Sequence, residues 1–259
     1  MSVTRYPVIL VHGIILKDNI FFKSFGKIGK RLKKCGYCVS TAPTDGFGTI
    51  ENNAAQLKAY VEKVLEKEHA EKVNLIAHSK GGLDSIYMIE NLGMEDKVAS
   101  LTTLCTPHLG SPIASYILGY PKWLLKFIAF WINLWYRIFG DKHPDCLEVC
   151  RQLRQREEAD VIHFSEKVYC QSYSTTLKRA KDDFIMGIPY IFSKRLEKKD
   201  TDGLVAVDSS KFGNYRGNCI EEESVSHSEI VGFMAKRKKK ERIIGFYLQL
   251  LDELTEMGF

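Results

Sequence analysis

The amino terminus lacks the features of a signal peptide, and the cysteines lack a disulfide framework. The first residues show no charged region followed by a long apolar stretch and a small-residue cleavage site. The seven cysteines are an odd number without regular spacing, which favours a reducing compartment over an oxidising one. We therefore expect a cytoplasmic protein by default, and a secreted one if the amino terminus is processed.

A long uncharged apolar run is also missing. The closest candidate, Tyr120–Tyr136, holds all three tryptophans but is interrupted by Lys122, Lys126 and Asn133. Its uncharged stretch, Phe127–Tyr136, is far shorter than the ~20 residues that a membrane-spanning helix needs. We predict no transmembrane span, and we interpret the segment either as a core helix or as a mobile or interfacial cap over an active site.

The chain has no strong excess of one charge, and it has no internal repeats or low-complexity linkers. The formal net charge is +5, and much of the excess lies in Lys236–Lys240. Such a short run is more typical of a solvated helix face than of a nucleic-acid interface, so we expect no nucleic-acid partner. The 45% hydrophobic and 27% charged residues suit a globular protein with a substantial core, which predicts one domain over residues 1–259.

Short apolar runs alternate with amphipathic stretches through the first two thirds of the chain. The runs predict strands at Pro7–His12, Tyr37–Ala42, Lys72–Ala77 and Val98–Leu104, and the stretches between them predict helices at Phe22–Lys34, Glu51–His69 and Gly81–Leu92. This rhythm indicates βαβ units. We therefore predict an α/β fold with a mostly parallel central sheet flanked by helices.

The alternation stops over residues 107–165, where we predict an inserted helical lid or cap. The pattern resumes near Lys167–Cys170 and again near Gly203–Val205, and it ends in a helix at Arg242–Leu254. Within the lid, Trp123, Leu124, Phe127, Phe130 and Trp131 recur at helical spacings, so they can form an apolar stripe that contacts substrate.

The segment Ala77–Gly81 fits the pattern of a small residue, any residue, Ser, any residue and Gly. A serine on a sharp turn between a strand and a helix presents its hydroxyl above the sheet, and small flanking residues allow that turn. The pentapeptide alone is a weak signal. The preceding apolar strand and the following helix make Ser79 a candidate nucleophile.

A nucleophilic serine needs a base, and the base needs an orienting acid. His227 follows Ser79 in the chain and lies in a polar turn before the last helix, where this fold order places the base. Asp202 precedes an apolar run and is the preferred acid, with Asp200 and Asp208 as alternatives.

Backbone N–H groups are also required to stabilise the oxyanion that forms on the substrate. The first donor is expected from Lys80, directly after Ser79. The second is expected from Ile14, because Gly13 allows the loop after the first strand to turn its amide inward.

Four segments together carry a resemblance to a known family: Tyr6–Ile14, Ala77–Leu83, Thr103–Pro112 and Asp202–Val205. In this order they resemble the bacterial true lipases, the triacylglycerol lipases of the α/β-hydrolase superfamily. The similarity is continuous from about residue 5 to 114 and continues in islands from 166 to 257. It implies an α/β-hydrolase fold and a helical lid after Pro107.

The resemblance implies Ser79, Asp202 and His227 as the catalytic triad, and Ile14 and Lys80 as the oxyanion hole. We expect no required cofactor. Some members of the family hold a structural calcium, for which Glu229 would be the candidate ligand here, although the matching position usually carries Asp. The second carboxylate is ambiguous between Asp182 and Asp183.

The sequence therefore predicts a serine hydrolase that cleaves carboxylic esters of apolar acyl chains, a lipase or carboxylesterase. A phospholipase, a thioesterase or an acyltransferase would use the same triad. Cys35 and Cys38 have the spacing of a thiol-disulfide oxidoreductase, but they follow a helix instead of opening one, where the dipole would stabilise a thiolate. A non-catalytic binding module is disfavoured because all three triad members are present. The expected partners are a lipid or ester substrate and, transiently, a lipid interface.

Overall fold

The computed structural model describes residues 3–14, 24–156 and 164–259. Six strands of the described chain form one sheet in the order β2-β1-β3-β4-β5-β6, and all five pairings between them are parallel. Their bounds are Val8–Val11 (β1), Val39–Thr41 (β2), Val73–His78 (β3), Val98–Leu104 (β4), Tyr169–Ser174 (β5) and Asn214–Asn218 (β6). The predicted parallel α/β architecture is confirmed.

Helices connect these strands and cover the sheet. Their bounds are Ile28–Lys34 (α1), Ile50–Glu68 (α2), Lys80–Asn91 (α3), Pro112–Leu118 (α4), Lys122–Ile138 (α5), Cys146–Gln152 (α6), Gly187–Glu197 (α7) and Arg237–Glu256 (α8). The hydroxyl of Thr49 accepts a hydrogen bond from Asn52 N (3.3 Å) and so caps α2.

The sheet is buried on both faces, which explains why its central strands are mainly apolar. On one face, Val8 and Leu10 pack with Ile28 of α1 and Tyr247 of α8. On the other face, alternate residues of the same strands pack against α2 and α3. The carboxyl ends of β3 and β4 therefore meet at one protected edge, where the candidate site lies.

The last strand differs from the prediction. Residues 203–205 do not form a strand but belong to a turn, closed by an isolated bridge between Thr201 and Ala206. The sixth strand, Asn214–Asn218, is polar and partly exposed because it lies at the edge of the sheet, so it lacks the apolar signal of the central strands. The first predicted helix begins at Ile28, and residues 22–23 lie outside the described residues.

The interruption after β4 is helical, as predicted: α4 packs against α6 and α7, and α5 packs against α6. Residues 157–163 of the predicted lid lie outside the described residues. Within the three described ranges, no helix combines the length and the apolar character needed to cross a membrane. That residues 1–259 form a single domain stays a prediction.

Candidate active site

Ser79 occupies a strained turn between β3 and α3. Its backbone has φ 55° and ψ −133°, a left-handed conformation that is rare for a residue with a side chain. Such a conformation costs about 1–3 kcal/mol and persists only where its surroundings enforce it. Here the amide of Ser79 donates to Leu104 O (2.9 Å), and Thr106 Oγ1 donates to Ser79 O (2.9 Å). The turn is therefore held from β4 and from the loop after it.

Glycine is required at three positions where other segments of the same chain approach this turn closely. A Cβ on Gly81 would lie 2.5 Å from His12 O, and one on Gly82 would lie 2.2 Å from Thr106 Oγ1. A Cβ on Gly13 would lie 2.6 Å from the Cβ of Ser79. These distances are too short for real contacts, so the sequence motif reflects close packing of the loop after β1 against the turn.

The structure brings Ser79, His227 and Asp202 together in one hydrogen-bonded chain. Ser79 Oγ lies 2.9 Å from His227 Nε2, and His227 Nδ1 lies 2.7 Å from Asp202 Oδ2. The other carboxylate oxygen of Asp202 accepts from the amides of Leu204 (3.0 Å) and Val205 (2.8 Å). The side chains of Ser79, His227 and Asp202 are all buried. In this arrangement the imidazole donates through Nδ1, which leaves Nε2 free to accept the serine proton.

The two alternative acids are occupied elsewhere. Asp200 pairs with Lys194 (3.0 Å) and is largely exposed. Asp208 pairs with Lys211 (2.9 Å) and Lys199 (3.4 Å), also at the surface. Because neither carboxylate is bonded to His227, geometry favours Asp202 among the three.

The expected oxyanion donors lie beside Ser79. Lys80 is the first residue of α3, and its amide lies at the positive end of the helix. A Cβ on Gly13 would lie 3.1 Å from Lys80 N, so the loop that carries Ile14 runs against this amide. Ile14 and Gly13 both line the cavity in front of Ser79.

A cavity of about 490 Å³ opens at Ser79 and His227. Its walls are mainly apolar and come from α4, α6 and the loops around the triad, including Ile113, Ala114, Ile117, Val149, Leu153, Met186, Leu204 and Val231. These side chains offer few hydrogen-bonding groups. The cavity is therefore suited to an apolar group attached to the reacting carbonyl.

The five predicted lid residues lie elsewhere. Trp123, Leu124, Phe127, Phe130 and Trp131 do not line this cavity, and Tyr136 is the α5 residue that does. Helix α5 packs through its opposite face: Asn133 Oδ1 accepts from Cys146 N (2.9 Å) at the start of α6. Helical spacing predicts an apolar stripe, but it does not say whether that stripe points inward. Here its four aromatic members point outward, with Trp123 72% exposed, whereas Leu124 is half-buried.

Comparison with known proteins decides the family. The family model described as palmitoyl protein thioesterase matches residues 7–143. Triacylglycerol lipase 2 from Saccharomyces cerevisiae is 30% identical over 250 residues, which cover 90% of this chain and 73% of the yeast protein. The chain belongs to the palmitoyl protein thioesterase and lipase family of α/β-hydrolases.

A bacterial relative agrees with that assignment, and a solved structure shares the fold. A triacylglycerol lipase from Pseudarthrobacter phenanthrenivorans is 42% identical over 122 residues, which cover 45% of this chain and 37% of that protein's own length. The crystal structure of a metagenomic carboxyl esterase matches with a TM-score of 0.70 at 16% identity, covering 98% of this chain and 78% of that one. The predicted α/β-hydrolase fold and serine ester hydrolase class are confirmed.

A buried ion pair in this lipase-family protein was not predicted from the sequence. The ammonium of Lys80 lies 2.6 Å from Asp84 Oδ1, and both side chains are fully buried. Asn53 Nδ2 donates to the second oxygen of Asp84 (3.1 Å). Burial raises the pKa of Asp84 to about 6 against the opposing attraction of Lys80, and burial lowers the pKa of Lys80. The signal available in the sequence was the four-residue spacing of opposite charges on the apolar helix α3.

His78 lies beside the hydrogen-bonded side chains of Ser79, His227 and Asp202. Its Nε2 lies 3.0 Å from the backbone oxygen of His227, and the two rings are 4.6 Å apart. Burial, followed by the proximity of His227, lowers the pKa of His78 well below its usual value. His78 is therefore a neutral ring that donates one hydrogen bond to the backbone of His227.

Cys105 is the other unpredicted neighbour of the triad. Its Sγ, a carboxylate oxygen of Asp202 and a ring nitrogen of His227 lie within 4.8 Å of one another. These are atoms that ligate metals, but Asp202 and His227 are already bonded to each other. Burial raises the pKa of the Cys105 thiol well above its usual value, which disfavours the thiolate that a metal requires.

The carboxylates near the base do not fit a calcium site. Both oxygens of Glu229 contact the ammonium of Lys239, at 2.7 and 2.6 Å. Asp183 accepts hydrogen bonds from the hydroxyls of Ser226 and Ser228, and Asp182 pairs with Arg179 (3.1 Å). The position expected for the ion's ligand is thus neutralised by a lysine.

Proposed function

We propose that Ser79, His227 and Asp202 carry out acyl transfer from an ester to water. Ser79 Oγ attacks the carbonyl carbon while His227 Nε2 takes the serine proton. The N–H groups of Lys80 and Ile14 stabilise the oxyanion. When the intermediate collapses, the alcohol leaves with the proton from His227, and the acyl group stays on Ser79. Water then attacks this acyl-enzyme with His227 again acting as base. The bond to Ser79 Oγ breaks, the carboxylic acid leaves, and His227 returns the proton to Ser79. The observation that supports the proposal is the chain of hydrogen bonds at 2.9 and 2.7 Å.

We propose that the acyl chain of the substrate occupies the apolar cavity. A cavity of about 490 Å³ that opens at the nucleophile accommodates an extended alkyl chain and has no charged lining side chain among the described residues. The names of the yeast and bacterial relatives favour a glycerolipid such as triacylglycerol. A thioester of a long acyl chain is the second candidate, because the matching family model is described as a palmitoyl protein thioesterase.

We propose that the outward face of α5 contacts a lipid surface transiently. Phe127 and Phe130 are each 60% exposed, and Ile138 at the end of the helix is 71% exposed. An exposed apolar face of this size is typical of an interaction site. Ile188 of α7 is also exposed (69%), on a helix that packs against α4. Since Ile117 of α4 both lines the cavity and is exposed, this contact would bring lipid to the cavity mouth.

We propose a cytoplasmic location on the basis of the cysteines. All seven are free in the structure, which agrees with a reducing cytoplasm.

The substrate proposal is tested with p-nitrophenyl esters of increasing chain length, assayed below and above their solubility, beside matched acyl thioesters. We expect kcat/KM to rise with acyl length, with a further rise above solubility. A preference for acetyl over long acyl esters would contradict the role of the cavity. A kcat/KM on thioesters that exceeds the oxygen-ester value would select the thioesterase.

A further inference from the structure

A second groove lies between α4, α5 and α6, on the outer side of the helices that wall the active-site cavity. It has a volume of about 1210 Å³. Its cationic lining residues are Lys122, Lys126, Arg151, Arg154 and Arg156, and its apolar ones are Leu118, Leu125 and Leu147. The three leucines are half-buried. The groove therefore combines a positive rim with an apolar floor.

Among residues 3–14, 24–156 and 164–259, few groups neutralise this positive charge. Lys122, Lys126 and Arg154 form no side-chain hydrogen bond or ion pair with any described residue. Arg151 pairs with Glu148 (2.8 Å), and Arg156 donates to a backbone oxygen at 2.9 Å. No carboxylate belongs to the described lining of the groove. Cations held close together without partners repel one another, and a bound anion relieves that repulsion.

We propose that this groove binds the anionic head group of a bilayer phospholipid. Arg and Lys hold the phosphate, and the first part of an acyl chain lies on the leucine floor. The ligand needs both features, because a free phosphate would leave the floor unused and a neutral lipid would leave the cations unpaired.

The position of the groove identifies a bilayer as the source of this ligand. Lys122 and Lys126 point from α5 into the groove, whereas Trp123 and Phe127 of the same helix are exposed on its outward side. Tryptophan beside lysine is typical of residues at the level of lipid head groups. The inference rests on the proposed contact of α5 with lipid, and it adds a recognised head-group charge to that contact.

The test is binding of the full chain to vesicles of phosphatidylcholine with and without phosphatidylglycerol, measured by co-sedimentation at fixed salt. The variant Lys126→Gln/Arg154→Gln removes two cations and breaks no ion pair within the described part of the chain. We expect it to bind phosphatidylglycerol vesicles about tenfold more weakly than wild type, since each basic residue near an anionic surface contributes about fivefold at most. Hydrolysis of a short soluble ester should be unchanged, because the groove lies outside the active-site cavity.

The matched control is Lys33→Gln/Lys34→Gln. These lysines are exposed at the end of α1. The helix leads to the amino end of β2, whereas Ser79 lies at the carboxyl ends of the parallel strands. The control removes the same charge and should weaken binding less than twofold. An equal loss in both variants would mean nonspecific attraction and would overturn the groove. The single variant Arg154→Lys, in which Lys126 is unchanged, should retain binding because the positive charge is kept.

Two further arms separate the alternatives. Monomeric oleate is added as a competitor of phosphatidylglycerol. If it competes in wild type but not in the double variant, the ligand of the groove is a free fatty acid, which would overturn the proposal. If neither wild type nor any variant binds vesicles of pure phosphatidylcholine, the proposed contact of α5 with lipid is contradicted. If all the proteins bind these vesicles equally and phosphatidylglycerol adds no binding, only the proposed head-group site in the groove is contradicted.

Discussion

Breaking the buried pair of Lys80 and Asp84 should destabilise the protein far more than removing both charges. In Lys80→Met, the carboxylate of Asp84 stays fully buried with only the amide of Asn53 as a partner. Leaving one member of a buried pair costs about 3–5 kcal/mol, because its charge is no longer compensated. For a domain of this size that corresponds to a fall in melting temperature of about 10 °C.

The loss should depend on pH. A raised carboxyl pKa means that the folded state holds its proton more tightly than the unfolded state, where Asp has a pKa of about 3.9. The stability linked to Asp84 is therefore complete below that value and declines as pH rises towards about 6. Without Lys80 the folded pKa rises further, so the decline continues to higher pH. We expect a larger deficit of Lys80→Met at pH 8 than at pH 5.5.

The assay is urea unfolding of wild type, Lys80→Met and Lys80→Met/Asp84→Leu at both pH values. The double variant should lie within about 2 kcal/mol of wild type, since an apolar pair often replaces a buried ion pair without loss. Asn53 then still donates to Asp45 O at 2.8 Å. The reasoning would be refuted if the double variant were as unstable as Lys80→Met. It would also be refuted if Lys80→Met lost less than about 1 kcal/mol of unfolding free energy at both pH values.

The remaining predictions concern the triad, the helix α5 and the carboxylate of Glu229. Asp202→Asn should lower kcat by about 10⁴-fold, because the imidazole loses its orienting acceptor, whereas Asp208→Asn should stay near wild type in the same ester assay. Phe130→Asp and Trp131→Asp should melt like wild type and cleave short soluble esters, but should lose activity on aggregated long-chain substrate; unfolding in either would identify a core helix. Chelation with EDTA should leave the melting curve unchanged, and a melting temperature that falls on chelation and recovers with calcium would contradict the Glu229–Lys239 pairing as a substitute for the ion.

The central part of the fold could be predicted because its signals are local. The strand at Val98–Leu104 was predicted with its observed bounds, since a strand buried on both faces is rich in apolar residues and has no exposed polar face. The edge strand β6 carried no such signal because one side of it faces solvent. A strand was instead predicted near Gly203–Val205, directly after the turn at Asp202, because Leu204 and Val205 are apolar. They are apolar because they line the cavity.

The proximity of Ser79, Asp202 and His227 could be predicted because the chemistry of a triad fixes the residue types and their order in the chain, and their catalytic roles stay a prediction. What could not be predicted is how the surrounding side chains are oriented. A lysine next to the nucleophile is expected to be exposed, yet Lys80 turns its ammonium into the interior towards Asp84. Likewise the aromatic stripe of α5 was recognised by its spacing, but only tertiary packing decides that it points away from the cavity.

The most direct test of the account is labelling of the active-site serine with a fluorophosphonate probe. Wild type should be labelled, and Ser79→Ala should be neither labelled nor active on esters while melting like wild type. Cys35→Ser should label and hydrolyse like wild type, because that cysteine lies outside the triad. Undiminished labelling of folded Ser79→Ala would contradict the assignment of the nucleophile, and with it the proposed mechanism.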